Sequence, residues 1–232
     1  MRHFNSARYV GKDSSKMFGN TIHENGGNKN RYHWKMPCTA GFDAVIIADS
    51  QLRSIRARDV PKTILGRYRG ASFDDVAFLM AYGYGPNINK PIHQHRAEPR
   101  KFFCKKCKMN CYEDTTLILA VGTNDLLRKI DAGETFYKPM EFARKWAETN
   151  KLRAIVFADI PDSQYFDAET QGAVQQYRYN VPRLAENARV PCILQERQNW
   201  EFEPEWVHVT PSCARQWLEN LQELITRINN QE

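Results

Sequence analysis

The clearest signal along the chain is a series of short, unbroken apolar runs. Asp43-Ala-Val-Ile-Ile-Ala48, Thr115-Thr-Leu-Ile-Leu-Ala-Val121 and Arg153-Ala-Ile-Val-Phe-Ala158 have no polar alternation, the pattern of a strand buried on both faces. Thr63-Ile-Leu65 and Cys192-Ile-Leu194 are shorter versions. Between and after them the spacing turns helical, over Phe73 to Tyr82, Pro139 to Asn150, Glu169 to Asn187 and Pro211 to Asn229. In the last stretch Trp217, Leu221, Leu224, Ile225 and Ile228 share a face, and Pro211 suits a first-turn position. Strands alternating with helices imply right-handed crossovers and a parallel sheet covered on both sides, so the expected class is an α/β three-layer sandwich.

With 232 residues and 42% hydrophobic positions, one such domain accounts for the chain. Residues 1–40 are rich in Asn, Gly, Ser and Lys with no apolar period, and are expected to form a basic, loosely ordered arm ahead of a 41–232 domain. No run approaches the roughly 18 apolar residues of a membrane span, and the first residues lack a secretory signal's apolar stretch. Six cysteines, three of them between Cys104 and Cys111, do not make a secreted disulfide framework. The expectation is a soluble chain in a reducing compartment, cytoplasmic or nuclear.

In a parallel sheet the reactive groups sit in the loops that leave the carboxyl ends of the strands. The first run leads into Ala48-Asp49-Ser50, Thr63-Ile-Leu65 leads on to Arg69-Gly70-Ala71, and the third run leads into Gly122-Thr123-Asn124-Asp125. Glu205-Trp206-Val207-His208 stands just before the final helix. These four blocks, in this order, resemble the SGNH (GDSL-like) hydrolase superfamily, with its GDS turn, loop glycine, GxND segment and DxxH segment. The resemblance spans about residues 43–229 and implies a flavodoxin-like fold. It also implies a serine esterase or deacetylase acting on an acyl ester without a catalytic cofactor. By that analogy Ser50 is the nucleophile, His208 the base and Glu205 its orienting carboxylate, while Gly70 and Asn124 complete an oxyanion hole. Ala48 departs from the glycine of the GDS turn, and Glu205 departs from the aspartate of DxxH.

The chemistry asks for such a set independently. A serine hydroxyl attacks well only when a base takes its proton, and a carboxylate fixes the useful imidazole tautomer. Preorganised donors then stabilise the tetrahedral oxyanion.

Residues 83–113 read as an insertion. His93, His95, Cys104, Cys107 and Cys111 suit a structural zinc, most simply as three thiolates and one imidazole, and the insertion is expected to border the active site. Positive charge collects in two places. Seven basic residues face two acidic ones in 1–40, and seven face one in 90–108, which leaves the rest of the chain acidic. Arg53, Arg56, Arg58, Arg67 and Arg69 lie near Ser50, and Lys101, Lys105 and Lys106 lie in the insertion; all are candidates for single-stranded RNA phosphates. The alternative to the esterase is therefore a catalytically silent RNA-binding or scaffold protein. The C-terminal domain of Oskar is similar in fold, has lost the catalytic set and binds RNA. Esterase domains of LINE retrotransposon first reading frames, which the chain also resembles, lie between the two.

Overall fold

The computed structural model describes residues 20–24, 31, 33–56, 59–60, 62–86, 98–128, 134–205 and 207–230. Six strands form one sheet: β1 (Asn20–Glu24), β2 (Ala44–Ala48), β3 (Thr63–Tyr68), β4 (Thr116–Ala120), β5 (Ala154–Phe157) and β6 (Cys192–Leu194). Every pairing is parallel, in the order β1-β3-β2-β4-β5-β6. The chain leaves β2 toward β3 on one side and then returns to the other side for β4. The strand order therefore reverses between β2 and β4, where open α/β sheets leave a crevice at their carboxyl ends.

The central strands are buried because their alternate side chains meet different layers. Val45, Ile47, Leu117, Leu119, Ile155 and Phe157 face α1 (Phe73–Tyr82), α3 (Glu134–Thr149) and α4 (Ala168–Ala185) through Leu79, Trp146 and Tyr177. Ala44, Ile46, Ala48, Ile118, Ala120 and Val156 face α5 (Pro211–Asn229) through Trp217, Leu218, Leu221 and Ile225. Alanine recurs on that second face, so one long helix seats closely. A short helix, α2 (Thr123–Leu127), follows β4 directly.

The N-terminal expectation needs correction where the chain is described. Asn20–Glu24 is an edge strand on β3, and residues 31 and 33–39 lie as a strap against the α1 layer; residues 1–19 lie outside the described residues. Trp34 is fully buried with its ring against Tyr68, and Tyr68 Oη donates to the Lys35 carbonyl at 2.6 Å. Arg31 reaches Asp75 with bonds of 2.7 and 2.8 Å, and its second nitrogen donates to the Gly70 carbonyl at 3.0 Å. One aromatic and one buried ion pair hold a polar segment in which no apolar period was visible.

The insertion also sits differently from the expectation. Helix α1 runs back against the strand direction and ends at Gly83, so the chain that follows starts from the amino end of the sheet. Cys111 and Tyr112 lead straight into β4 at that end. Residues 98–113 therefore pack at the end of the sheet opposite Ser50 and do not border it.

Candidate active site

Ser50 opens a tight 3-10 turn (Ser50–Leu52) at the carboxyl end of β2, beside the crevice. Asp49 caps the turn, its Oδ1 accepting the Gln51 N–H at 2.9 Å, and its own N–H donates to the Ala120 carbonyl at 3.2 Å. The exits of β2 and β4 are thereby stitched together. Ala48, the departure from a GDS glycine, is an ordinary strand residue whose methyl packs in the α5 layer, so the site tolerates the change sterically.

The histidine reaches Ser50 from a loop fixed on both sides. His208 Nε2 lies 3.1 Å from Ser50 Oγ, and its Nδ1 lies 3.2 Å from Glu205 Oε1. A glutamate at this spacing thus spans the distance to the imidazole. Gln51 holds the loop in place: its amide donates to the Val207 carbonyl at 2.8 Å and accepts the Val209 N–H at 3.0 Å. The far side is held by Glu203 N–H donating to the His208 carbonyl at 2.8 Å and Thr210 N–H donating to Glu201 at 2.8 Å. Sequence reasoning missed Gln51. Its one signal was position, a polar residue immediately after the candidate serine that turned out to be almost wholly buried.

Asn124 follows β4 across the crevice. Its Nδ2 donates to the Ala71 carbonyl at 3.0 Å and, more weakly, to Asp49 Oδ2 at 3.3 Å. Gly122, ahead of it, has φ +130°, and a Cβ there would meet Ile160 at 2.4 Å, so this turn requires glycine. Gly70 has φ +73°, and its carbonyl is held by Arg31 and Arg128, each at 3.0 Å. Ser50, Asn124, Gly70, His208 and Glu205 are thus gathered at one end of the sheet by β2, β4, the β3–α1 turn and the loop before α5.

Two buried carboxyls lie beneath the site. Burial pushes the Asp49 carboxyl up to about 7 against hydrogen bonds from Gln51, Thr123 and Asn124 that favour its ionised form. Asp125, which accepts the Phe73 N–H at the start of α1, is pushed up to about 8, chiefly by burial and then by Asp74 and Asp75. Glu205 is held below the usual glutamate range, first by its bond with His208 and then by Arg53.

The arginine candidates divide. Arg53 bonds Glu203 and Glu205 and stands 3.0 Å from His208 Nδ1, making it part of this cluster. Nδ1 therefore has two neighbours with opposite demands: the Glu205 carboxylate needs an N–H there, and the Arg53 guanidinium needs a lone pair. Arg67 is buried and donates to the Leu52 and Arg53 carbonyls at 3.0 and 2.5 Å, so it braces the Ser50 turn from within and is not a surface phosphate contact. Arg56 and Arg69 are exposed, as are Lys101, Lys105 and Lys106 at the other end of the sheet, and Arg58 lies outside the described residues. An open groove of about 1320 Å³ runs between the loops after β5 and β6, past Tyr165, Gln175 and Asn199, and meets the site only at Glu203 and Pro204.

The metal candidates also divide. Cys104, Cys107 and Cys111 stand together, His93 and His95 lie outside the described residues, and the fourth sulfur in the group is Cys38. The expectation left out that residue because it stands 66 positions before Cys104. Among the described residues no helix is long and apolar enough to cross a membrane.

Several solved structures share this architecture. TesA superposes with a TM-score of 0.53 at 8% identity, over 80% of this chain and 98% of that one. The psychrotrophic esterase EstA from Pseudoalteromonas, inhibited by monoethylphosphonate, gives 0.50 at 8% over 81% and 99%. An acetyl esterase with an acetate ion gives 0.51 at 12% over 80% and 99%. The fold is that of the SGNH hydrolases. In that fold the carboxyl ends of β2 and β4, where Ser50 and Asn124 stand, flank the crevice between the diverging halves of the sheet. No family model matches the sequence, and no curated protein matches it.

Proposed function

We propose that this SGNH-fold protein is a serine carboxylic-ester hydrolase in which Ser50 attacks an acyl carbon and His208 carries the proton. The observation that carries the reading is the relay of Ser50 Oγ, His208 and Glu205, with links of 3.1 and 3.2 Å, at the crevice of the sheet. With Glu205 accepting from Nδ1–H, the Nε2 lone pair faces the serine hydroxyl, which is the tautomer a general base requires. As Oγ bonds the acyl carbon, its proton passes to Nε2 and negative charge gathers on the former carbonyl oxygen. Collapse of that tetrahedral species expels the alcohol, which takes the proton from Nε2 and leaves an acyl ester on Ser50. Water, deprotonated by the same nitrogen, bonds the acyl carbon; the acyl–Oγ bond then breaks, Oγ takes the proton back from Nε2, and the acid leaves.

The oxyanion donors in this reading are the backbone N–H groups of Ser50 and Gly70 and the Asn124 amide. Asn124 gives up its longer bond, to Asp49, and keeps the one to the Ala71 carbonyl, so a preorganised donor turns toward the oxyanion with little reorganisation. The groove beyond Glu203, with its amide and aromatic lining, favours a substrate whose alcohol part is larger than a short alkyl group. Purified protein is expected to hydrolyse short-chain chromogenic esters, and the Ser50→Ala variant to do so no faster than buffer while melting at the wild-type temperature. Equal turnover by wild type and variant would remove Ser50 from the reaction.

A second reading draws on Lys101, Lys105 and Lys106, each exposed in the segment ahead of β4 and away from the relay. There single-stranded RNA would be held by its phosphates. Binding would weaken with salt with a log–log slope of roughly −0.7 per contact, and charge reversal at the three lysines would flatten that slope. Absence of binding at low salt would dismiss it.

A further inference from the structure

At the amino end of the sheet, remote from Ser50, two stretches of chain bring four sulfurs together. Cys38 stands in the strap ahead of β2, and Cys104, Cys107 and Cys111 stand ahead of β4; their Sγ atoms all lie within 4.8 Å of one another, and none is in a disulfide. A tetrahedral zinc with bonds of about 2.3 Å sets its sulfurs roughly 3.8 Å apart, so only a slight contraction separates this group from a closed site.

The surrounding backbone is arranged as a metal thiolate needs. The N–H groups of Lys106 and Cys107 point at the Cys104 sulfur, and that of Ala40 at the Cys38 sulfur. Thr39 N–H donates to Cys111 Sγ at 3.3 Å. The loop round Cys104 closes with Lys108 N–H on the Cys104 carbonyl at 2.8 Å and Cys104 N–H on the Met109 carbonyl at 2.9 Å. Lys108 accepts a φ of +61° to do so. Four thiolates around a divalent ion carry a net charge of −2, and inward-pointing amides with nearby Lys105, Lys106 and Lys108 offset it. Cys104 and Cys111 are buried, with Tyr112 and Phe102 in the same apolar cluster, which shields the site from exchange with water.

We propose that Cys38, Cys104, Cys107 and Cys111 bind one zinc ion as a closed structural tetrathiolate that fastens the strap of residues 33–39 to residues 98–113. All-sulfur tetrahedral donors select zinc or iron, and full coordination by protein ligands leaves no open position for catalysis. The ion explains how residues 98–113, with no strand or helix of their own, keep a fixed shape. It also anchors one end of the strap whose other end, through Arg31, holds Asp75 and the Gly70 carbonyl. This inference is independent of whether the Ser50 site turns over.

The test uses the full chain purified under reducing conditions without chelator. Elemental analysis is expected to find about one zinc per chain. Exchange for cobalt is expected to give the intense near-ultraviolet thiolate bands and the visible bands of a tetrahedral site. Cys38→Ser and, separately, Cys104→Ser with Cys107→Ser are expected to lose the metal. Chelation is expected to raise hydrogen exchange in residues 33–40 and 98–113 while β2, β4 and β5 stay protected. Metal-free wild-type protein, an iron chromophore, a mass showing two disulfides, or full zinc retention by Cys38→Ser would each overturn the four-cysteine site. Metal content and cobalt spectra of the wild type decide the matter even if a variant fails to fold.

Discussion

Replacing Gln51 with leucine tests whether a buried amide is what aims His208. The two side chains are close in volume, so the change leaves little cavity in a site that is 3% exposed, and what it removes is the pair of bonds at 2.8 and 3.0 Å to Val207 and Val209. Each such bond is worth about 1 kcal/mol net, and the Val209 N–H left in apolar surroundings adds to the loss. About 2 kcal/mol taken from the productive placement of His208 corresponds to a fall of roughly 30-fold in kcat/KM. The assay is hydrolysis of a short chromogenic ester, with Ser50→Ala as the baseline and thermal melting as the check on folding. KM should move little, because Gln51 touches the loop and not the substrate. A folded leucine variant with wild-type kcat/KM would show that Glu203 and Thr210 alone hold His208 and that Gln51 does not aim it.

Other perturbations address other parts of the account. Glu205→Gln should lower kcat by roughly tenfold, because an exposed amide orients the imidazole less firmly than a carboxylate, and an unchanged rate would assign Glu205 to Arg53 instead. Arg31→Met leaves Asp75 buried without its cation and should lower unfolding stability by about 3 kcal/mol in denaturant, with part regained on adding Asp75→Asn; a neutral single change would deny the strap its anchor. Asp49 and Asp125 keep protons in the folded chain up to about 7 and 8 that the unfolded chain releases near 4. Stability should therefore fall as pH rises through that window, and Asp125→Asn should gain on the wild type between pH 5 and pH 9. A constant difference would mean that Asp125 is ionised throughout.

What the sequence disclosed follows from how each signal is encoded. Strands buried on both faces must be apolar throughout, so β2, β4 and β5 were legible as runs, and α1 and α5 were legible to their end residues because Ser72 and Pro211 punctuate them. The candidate site residues were legible as a set because the fold places loop residues of successive strands at one end of the sheet. The strap was not. Trp34 and Arg31 are buried by partners at Tyr68 and Asp75, contacts between distant positions that leave no local period. For the same reason nothing local in the sequence groups Cys38 with the later cysteines or shows that Arg67 and Gln51 are buried. The position of residues 98–113 at the amino end of the sheet follows from the direction in which α1 returns the chain, which no residue of that segment encodes.

In the proposed reaction Ser50 is a nucleophile activated by His208. Covalent labelling with a fluorophosphonate, located by peptide mass spectrometry, tests this in the wild type and in His208→Ala. A single adduct on Ser50 is expected in the wild type, with labelling slowed by about two orders of magnitude or more in the variant. An unlabelled wild type, an adduct on another serine, or equal labelling rates in the two proteins would contradict it.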